Sequence, residues 1–207
     1  MNPVFTLLPI RPATPRRARL QLLAVIALFA LPLAVAMLLF GQWRPAGGAE
    51  RGELLEPVRA LPPLAATGPD GAPLAPDHLR GRWTLVYVAD GSDCPALCRD
   101  ALWRLRQVRL ASGRDIDRVQ RLALFAGAPD AALRGWLERE HPGLVAGVAP
   151  AAERAGFTDG WRTPGRAGGW IYLVDPHGNL VLRHAADGEA GGVLKDLNRL
   201  LKLSQIG

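Results

Sequence analysis

The sequence predicts an α/β domain, a mixed sheet with helices on both faces, preceded by a single N-terminal transmembrane helix. Three observations predict it. Short runs rich in β-branched and aromatic residues alternate with segments of helical periodicity. Near the C-terminus, Trp170–Val174 and Leu180-Val181-Leu182 flank Asp175-Pro176-His177-Gly178-Asn179, a hairpin pattern with a turn longer than two residues. Residues 20–40 carry no charge and are interrupted only by Gln21 and Pro32. At about 1.5 Å per residue that stretch spans a bilayer core.

The apolar stretch is longer than the core of a cleaved signal peptide and has no polar face, so it reads as a signal anchor. Arg11, Arg16, Arg17 and Arg19 precede it with no acidic residue among them. The positive-inside rule then places the N-terminus in the cytoplasm and the rest outside, in the periplasm of a bacterial inner membrane. Those four arginines carry most of the formal charge of +6. What remains on the rest of the chain is slight, no basic patch is interleaved with aromatics, and nucleic acid is excluded as a partner. The resulting division is a basic leader (1–19), an anchor (20–40), a Gly-, Pro- and Ala-rich linker (41–75) and the domain proper (76–207).

Within the domain, Pro76-Asp77-His78-Leu79-Arg80-Gly81 forms a turn that introduces a buried strand over Trp83–Val88. Asp90-Gly91-Ser92-Asp93 breaks this run and delivers Cys94 to a strand-to-helix corner. From Pro95 onward Leu97, Ala101, Leu105 and Val108 recur at helical spacing, and Ser112-Gly113 supplies the stop. Asp93 reads as the helix cap and Asp100 as a solvated helix residue. A second strand covers Val119–Phe125. A helix carrying Leu133, Trp136 and Leu137 runs from Asp130 to His141-Pro142-Gly143. A short strand spans Leu144–Val148, and one helical turn covers residues 151–155. After the hairpin, Val193, Leu194, Leu197, Leu200 and Leu201 share one side of a last helix. Strand, helix, strand, helix, then hairpin and helix, with cysteines at the start of the first main helix, is the thioredoxin-like layout.

The two cysteines are the only ones in the chain. One helical turn separates Cys94 from Cys98, so their sulfurs share a face and could meet on one metal ion or bond to each other. A closed loop this short removes little chain entropy from the unfolded state, which favours a redox or metal role over a staple. The positive end of the helix favours a thiolate at Cys94. No phosphate loop, zinc-protease helix or Gly-x-Ser-x-Gly elbow offers another chemistry.

The anchor, the stretch Leu79-Arg80-Gly81-Arg82-Trp83-Thr84-Leu85-Val86-Tyr87 leading to Cys94-Pro95-Ala96-Leu97-Cys98, and Ile171-Tyr172-Leu173-Val174-Asp175-Pro176-His177-Gly178 resemble the Sco/SenC family. That family comprises membrane-anchored, thioredoxin-like proteins that assist copper insertion into cytochrome c oxidase. The resemblance implies a copper cofactor, the copper-bearing oxidase subunit as partner, and Cys94 and Cys98 as metal ligands and catalytic thiols. The family's third ligand, a histidine shortly before the later strand, falls near Ala167, and Gly165-Arg166-Ala167-Gly168-Gly169 holds none. Arg99 stands where the family usually has proline. Two thiolates suit Cu(I), whereas Cu(II) would miss its imidazole. His184, ending the returning strand, is the substitute third ligand that the sequence offers, while His177, His78 and His141 read as loop residues. The competing chemistry is thiol exchange, in which Cys94 attacks a partner's disulfide and Cys98 resolves it. Thr163-Pro164 is a candidate for the proline that faces such sites. A general periplasmic oxidoreductase and a non-catalytic assembly factor are the alternative readings.

Overall fold

The computed structural model describes residues 15–39, 52–161 and 167–204. The chain forms two compact units, Met1–Gly48 and Ala49–Gly207. In the first, α1 (Pro15–Leu39) is a helix of 25 residues containing Pro32. Its apolar side chains face outward, with Leu20, Leu23, Leu28, Phe29 and Leu31 all more than 60% exposed. Among the described residues no helix is long and apolar enough to cross a membrane. The expected span, 20–40, reaches beyond them: Phe40 and the side chains at 33, 36, 38 and 39 lie outside the described residues.

The second unit holds one six-stranded sheet in the order β1-β6-β5-β2-β3-β4. The strands are β1 (Glu53–Ala60), β2 (Trp83–Val88), β3 (Val119–Phe125), β4 (Leu144–Val148), β5 (Trp170–Val174) and β6 (Asn179–Ala185). β2, β3 and β4 run parallel, joined by α2 (Ala96–Ala111) and α3 (Ala131–Glu140). β5 and β6 form the antiparallel hairpin, and β5 pairs with β2. At its turn Gly178 adopts φ +85°, a conformation open to glycine, and its N–H donates to the Asp175 carbonyl. The fourth helix, α4 (Ala151–Thr158), runs past the single turn expected there, and α5 (Ala190–Leu203) closes the fold.

Every side chain of β2 and β3 is buried, as befits central strands covered on both faces. The pleat divides them. Trp83, Leu85 and Tyr87 point with Val119, Ala123 and Phe125 into a core beneath α2, α3 and α5. Val86, Val88, Leu122 and Leu124 point the other way, under Phe157 of α4 and the segment carrying Leu61, Leu64 and Leu79.

That segment corrects the expected linker. Residues 52–75 belong to the domain: β1 pairs antiparallel with β6, and Thr67 bridges to Val148 at the opposite edge. The reason is burial. Leu55, Leu61 and Leu64 are each less than 7% exposed, and at roughly 1.5–3 kcal/mol for each fully buried large aliphatic they outweigh the turn-forming prolines around them. Glu53 fixes the strand further by pairing with Arg183 of β6 at 2.7 Å, and Arg183, only 1% exposed, lies between the rings of Trp170 and Trp161.

Candidate thiol-disulfide site

The parallel strands end at the cysteine corner. Cys94 follows the turn after β2, and Pro95 takes the N-cap position of α2, where it offers no side-chain acceptor. Asp93 therefore does not cap the helix as expected, and among the described residues no side chain caps the first-turn amides of α2. Cys98 lies in that first turn. The two cysteines form a disulfide across one turn, with Cα atoms 5.1 Å apart.

The two sulfurs are not equivalent. Cys98 is fully buried in the core beneath α2, whereas Cys94 is 5% exposed and lines a cleft of about 450 Å³. Ser92, Asp93 and Pro95 form one wall of this cleft, and Asp130, Leu133 and Trp136 form the other. Asp130 caps α3 by accepting from the Leu133 N–H at 2.7 Å. Arg99 joins the walls: its Nε donates to the Cys94 carbonyl at 3.1 Å, and its guanidinium lies 4.8 Å over the Trp136 ring. Trp136, which the sequence groups with Leu133 and Leu137 on α3, is half-buried and shared between core and cleft. Nothing in the sequence reports that α3 brings Trp136 against Arg99 of α2.

A second support comes from the loop before β5, where the 3-10 turn Ala167–Gly169 packs against α2 and β2. Tyr87 Oη donates to the Gly168 carbonyl at 3.0 Å, and the Gly168 N–H donates to Asp90 Oδ1 at 3.2 Å. A Cβ at Gly168 would come within 2.9 Å of Asp90 Oδ2. Thr163 and Pro164 lie outside the described residues.

The expected third metal ligand is not brought to the cysteines. His184 sits on β6 beneath α5, with Nε2 3.2 Å from Asp196 Oδ2, and Asp196 also accepts from the Gly52 N–H. Burial holds the His184 imidazole below its ordinary range, against the opposing pull of Asp196. Its place in the fold is therefore to tie β6 to α5. His177 stands exposed in the hairpin turn as expected, while His141 is buried at the end of α3 against the Trp136 ring. Among the described residues no three His, Cys, Asp or Glu side chains converge to hold a metal ion.

A family model described as transmembrane-like, thioredoxin-like, C-terminal domain matches residues 83–204, which span all of this site. The chain belongs to that family. Solved structures place this transmembrane-like, thioredoxin-like protein in the same fold as the Sco proteins. The copper-bound ScoI of Bradyrhizobium japonicum is 23% identical, covering 68% of this chain and 99% of its own, with a TM-score of 0.50. Yeast Sco1 is 20% identical over 72% of this chain and 97% of its own, with a TM-score of 0.57. A putative protein disulfide isomerase from Bacteroides thetaiotaomicron is 18% identical over 74% and 94%, with a TM-score of 0.53. Comparison with curated protein sequences finds no match.

Proposed function

We propose that the chain is a membrane-anchored thiol-disulfide factor of cytochrome c oxidase assembly, whose Cys94-Cys98 couple reduces the copper-site cysteines of the oxidase subunit. The observation that carries this reading is the inequivalence of the two sulfurs in one disulfide, with Cys94 on a cleft and Cys98 buried behind it. The reduced Cys94 thiolate attacks one sulfur of the partner's disulfide, forms a mixed disulfide and releases one partner thiolate. Cys98 then attacks Cys94, the Cys94-Cys98 disulfide closes, and the second partner thiolate leaves. Two electrons pass to the partner, and an external dithiol reductant restores the pair. The uncapped amides of α2 and the Arg99 guanidinium favour negative charge on Cys94 during both steps.

Copper fits this donor set only in part. The reduced sulfurs suit Cu(I), but His184 is engaged with Asp196, and Cu(II) lacks its imidazole. No step above runs through the metal. The anchor belongs to the same proposal: the uncharged stretch 20–40 behind four arginines holds the domain at the periplasmic face of the inner membrane, where the oxidase copper site lies.

The test is mixed-disulfide trapping in cells with Cys98→Ser. Recovery of the copper-bearing oxidase subunit on Cys94 supports the proposal, whereas recovery of unrelated exported proteins favours a general oxidoreductase. Unimpaired oxidase maturation with both cysteines changed to serine overturns the thiol role. A Cu(I) titration of the reduced protein against a chelator, with each single serine variant as control, decides whether copper is cargo.

A further inference from the structure

Away from the cysteines, a basic cluster lies where the C-terminal half of α2, the start of β3 and the end of α3 meet. Arg121, in β3, is 2% exposed. Its Nη2 donates to the Pro142 carbonyl at 2.6 Å, but its Nε and Nη1 are buried with no hydrogen-bond partner among the described residues. Two half-buried arginines of α2 lie close to it. Arg109 Nε donates to the carbonyl of Val119, two residues before Arg121 on the same strand, at 2.7 Å. Arg106 Nη1 donates to the carbonyl of Glu140, two residues before Pro142, at 2.8 Å. His141, 3% exposed, sits between those two anchor points, and its Nδ1 is also buried without a partner.

Among the described residues none of these three arginines forms an ion pair with a carboxylate; the acidic group that acts here is Glu140, through its pull on His141. Burial, and then the charges of Arg109 and Arg106, push Arg121 down to about 10. Burial, with Arg121 and Arg106, holds His141 at about 4, so at neutral pH it is uncharged and adds no further positive charge to the cluster. A buried cation without a counter-charge costs several kcal/mol, and one carbonyl offsets only part of it.

We propose that this cluster binds a small divalent oxyanion of the phosphate or sulfate type, held by Arg121 and flanked by the guanidiniums of Arg106 and Arg109. Charge and geometry agree on that class. Three neighbouring guanidiniums call for more than one negative charge, and Arg121 offers donors that no described residue uses. Arg106 and Arg109, half-buried where Arg121 is 2% exposed, stand nearer to solvent.

The test is thermal unfolding of the full chain in nonionic detergent, titrated with inorganic phosphate or sulfate at ionic strength held constant with chloride. Above the dissociation constant the midpoint should rise by about 3–5 °C for each tenfold increase in anion. The double variant Arg106→Gln/Arg109→Gln, altered at the solvent side, should unfold normally without anion and lose the response. Arg121→Met should also lose it, with a midpoint in phosphate-free buffer no lower than that of the unaltered chain; where that variant does not fold, the double variant decides. No rise beyond the chloride control, or a full rise in the double variant, overturns the proposal. Micelles doped with phosphatidylglycerol form the arm for a lipid source, and a response there without one to inorganic phosphate overturns the small-anion assignment. The cysteines take no part, so the outcome is independent of the thiol chemistry.

Discussion

The Arg99 guanidinium lies over the Trp136 ring, 4.8 Å from its centre, at the cleft onto which Cys94 opens. The contact joins α2 to α3 and fixes a positive charge one turn from the reactive sulfur. With Arg99→Gln, alkylation of reduced Cys94 by iodoacetamide at pH 7 should slow severalfold, because less thiolate is present. Arg99→Lys should retain most of the rate. An unchanged pH-rate profile in the glutamine variant would remove Arg99 from the chemistry.

Burial differs between the two cysteines, and their single variants should differ accordingly. Reduced Cys98→Ser should form a mixed disulfide with a small disulfide reagent rapidly. Cys94→Ser should do so at least tenfold more slowly, since Cys98 is fully buried. Stopped-flow reaction with an aromatic disulfide measures both, and equal rates would contradict the assignment of Cys94 as the attacking group.

The 3-10 turn at Ala167–Gly169 packs beside α2, and the resemblance to the Sco family implies the position of its histidine near Ala167. Ala167→His should therefore raise the Cu(II) affinity of the reduced protein by tenfold or more and produce a sulfur-to-copper charge-transfer band. Cu(I) affinity should change much less, because two thiolates already satisfy it. Absence of the band on titration would mean that the loop cannot present an imidazole to the cysteines.

His141 supplies a pH dependence. Burial and two arginines hold its imidazole at about 4 in the folded state, against an ordinary 6.5 once unfolded. The unfolded chain binds the proton first, so this contribution to stability is complete above about pH 6.5 and is lost as pH falls toward 4. His184, also lowered by burial, acts in the same direction. Denaturant midpoints measured from pH 7 to 4 should fall, and His141→Gln should flatten part of that decline.

At the other edge, Glu53 and Arg183 form a buried pair, with side chains 12% and 1% exposed. Glu53→Ala removes the carboxylate that pairs with Arg183 at 2.7 Å and should lower the urea midpoint. An unchanged midpoint would show that the pair contributes little and that β1 is held by its ladder with β6 and its apolar contacts.

Local chemistry determined much of this protein from the sequence. Trp83–Val88, Val119–Phe125, Leu144–Val148 and Trp170–Val174 were legible as strands because β-branched and aromatic runs end at glycine, proline and aspartate. The corner that carries Cys94 and Cys98 followed from the change of period at Pro95. Tertiary structure decided what depends on contacts distant in sequence. β1 was hidden because Pro57 and charged Glu53 and Arg59 blur its pattern, and it becomes a strand only when β6 supplies hydrogen bonds and Arg183 a counter-charge. Asp93 looked like a cap, but Pro95 takes that position. His184 looked like a ligand by its place at a strand end, yet Asp196 of α5, twelve residues further on, claims it. The Arg99-Trp136 contact joins residues of two different helices. Periodicity reports which face of an element is apolar, whereas the partner of a buried charge is set by packing between elements that no local pattern encodes.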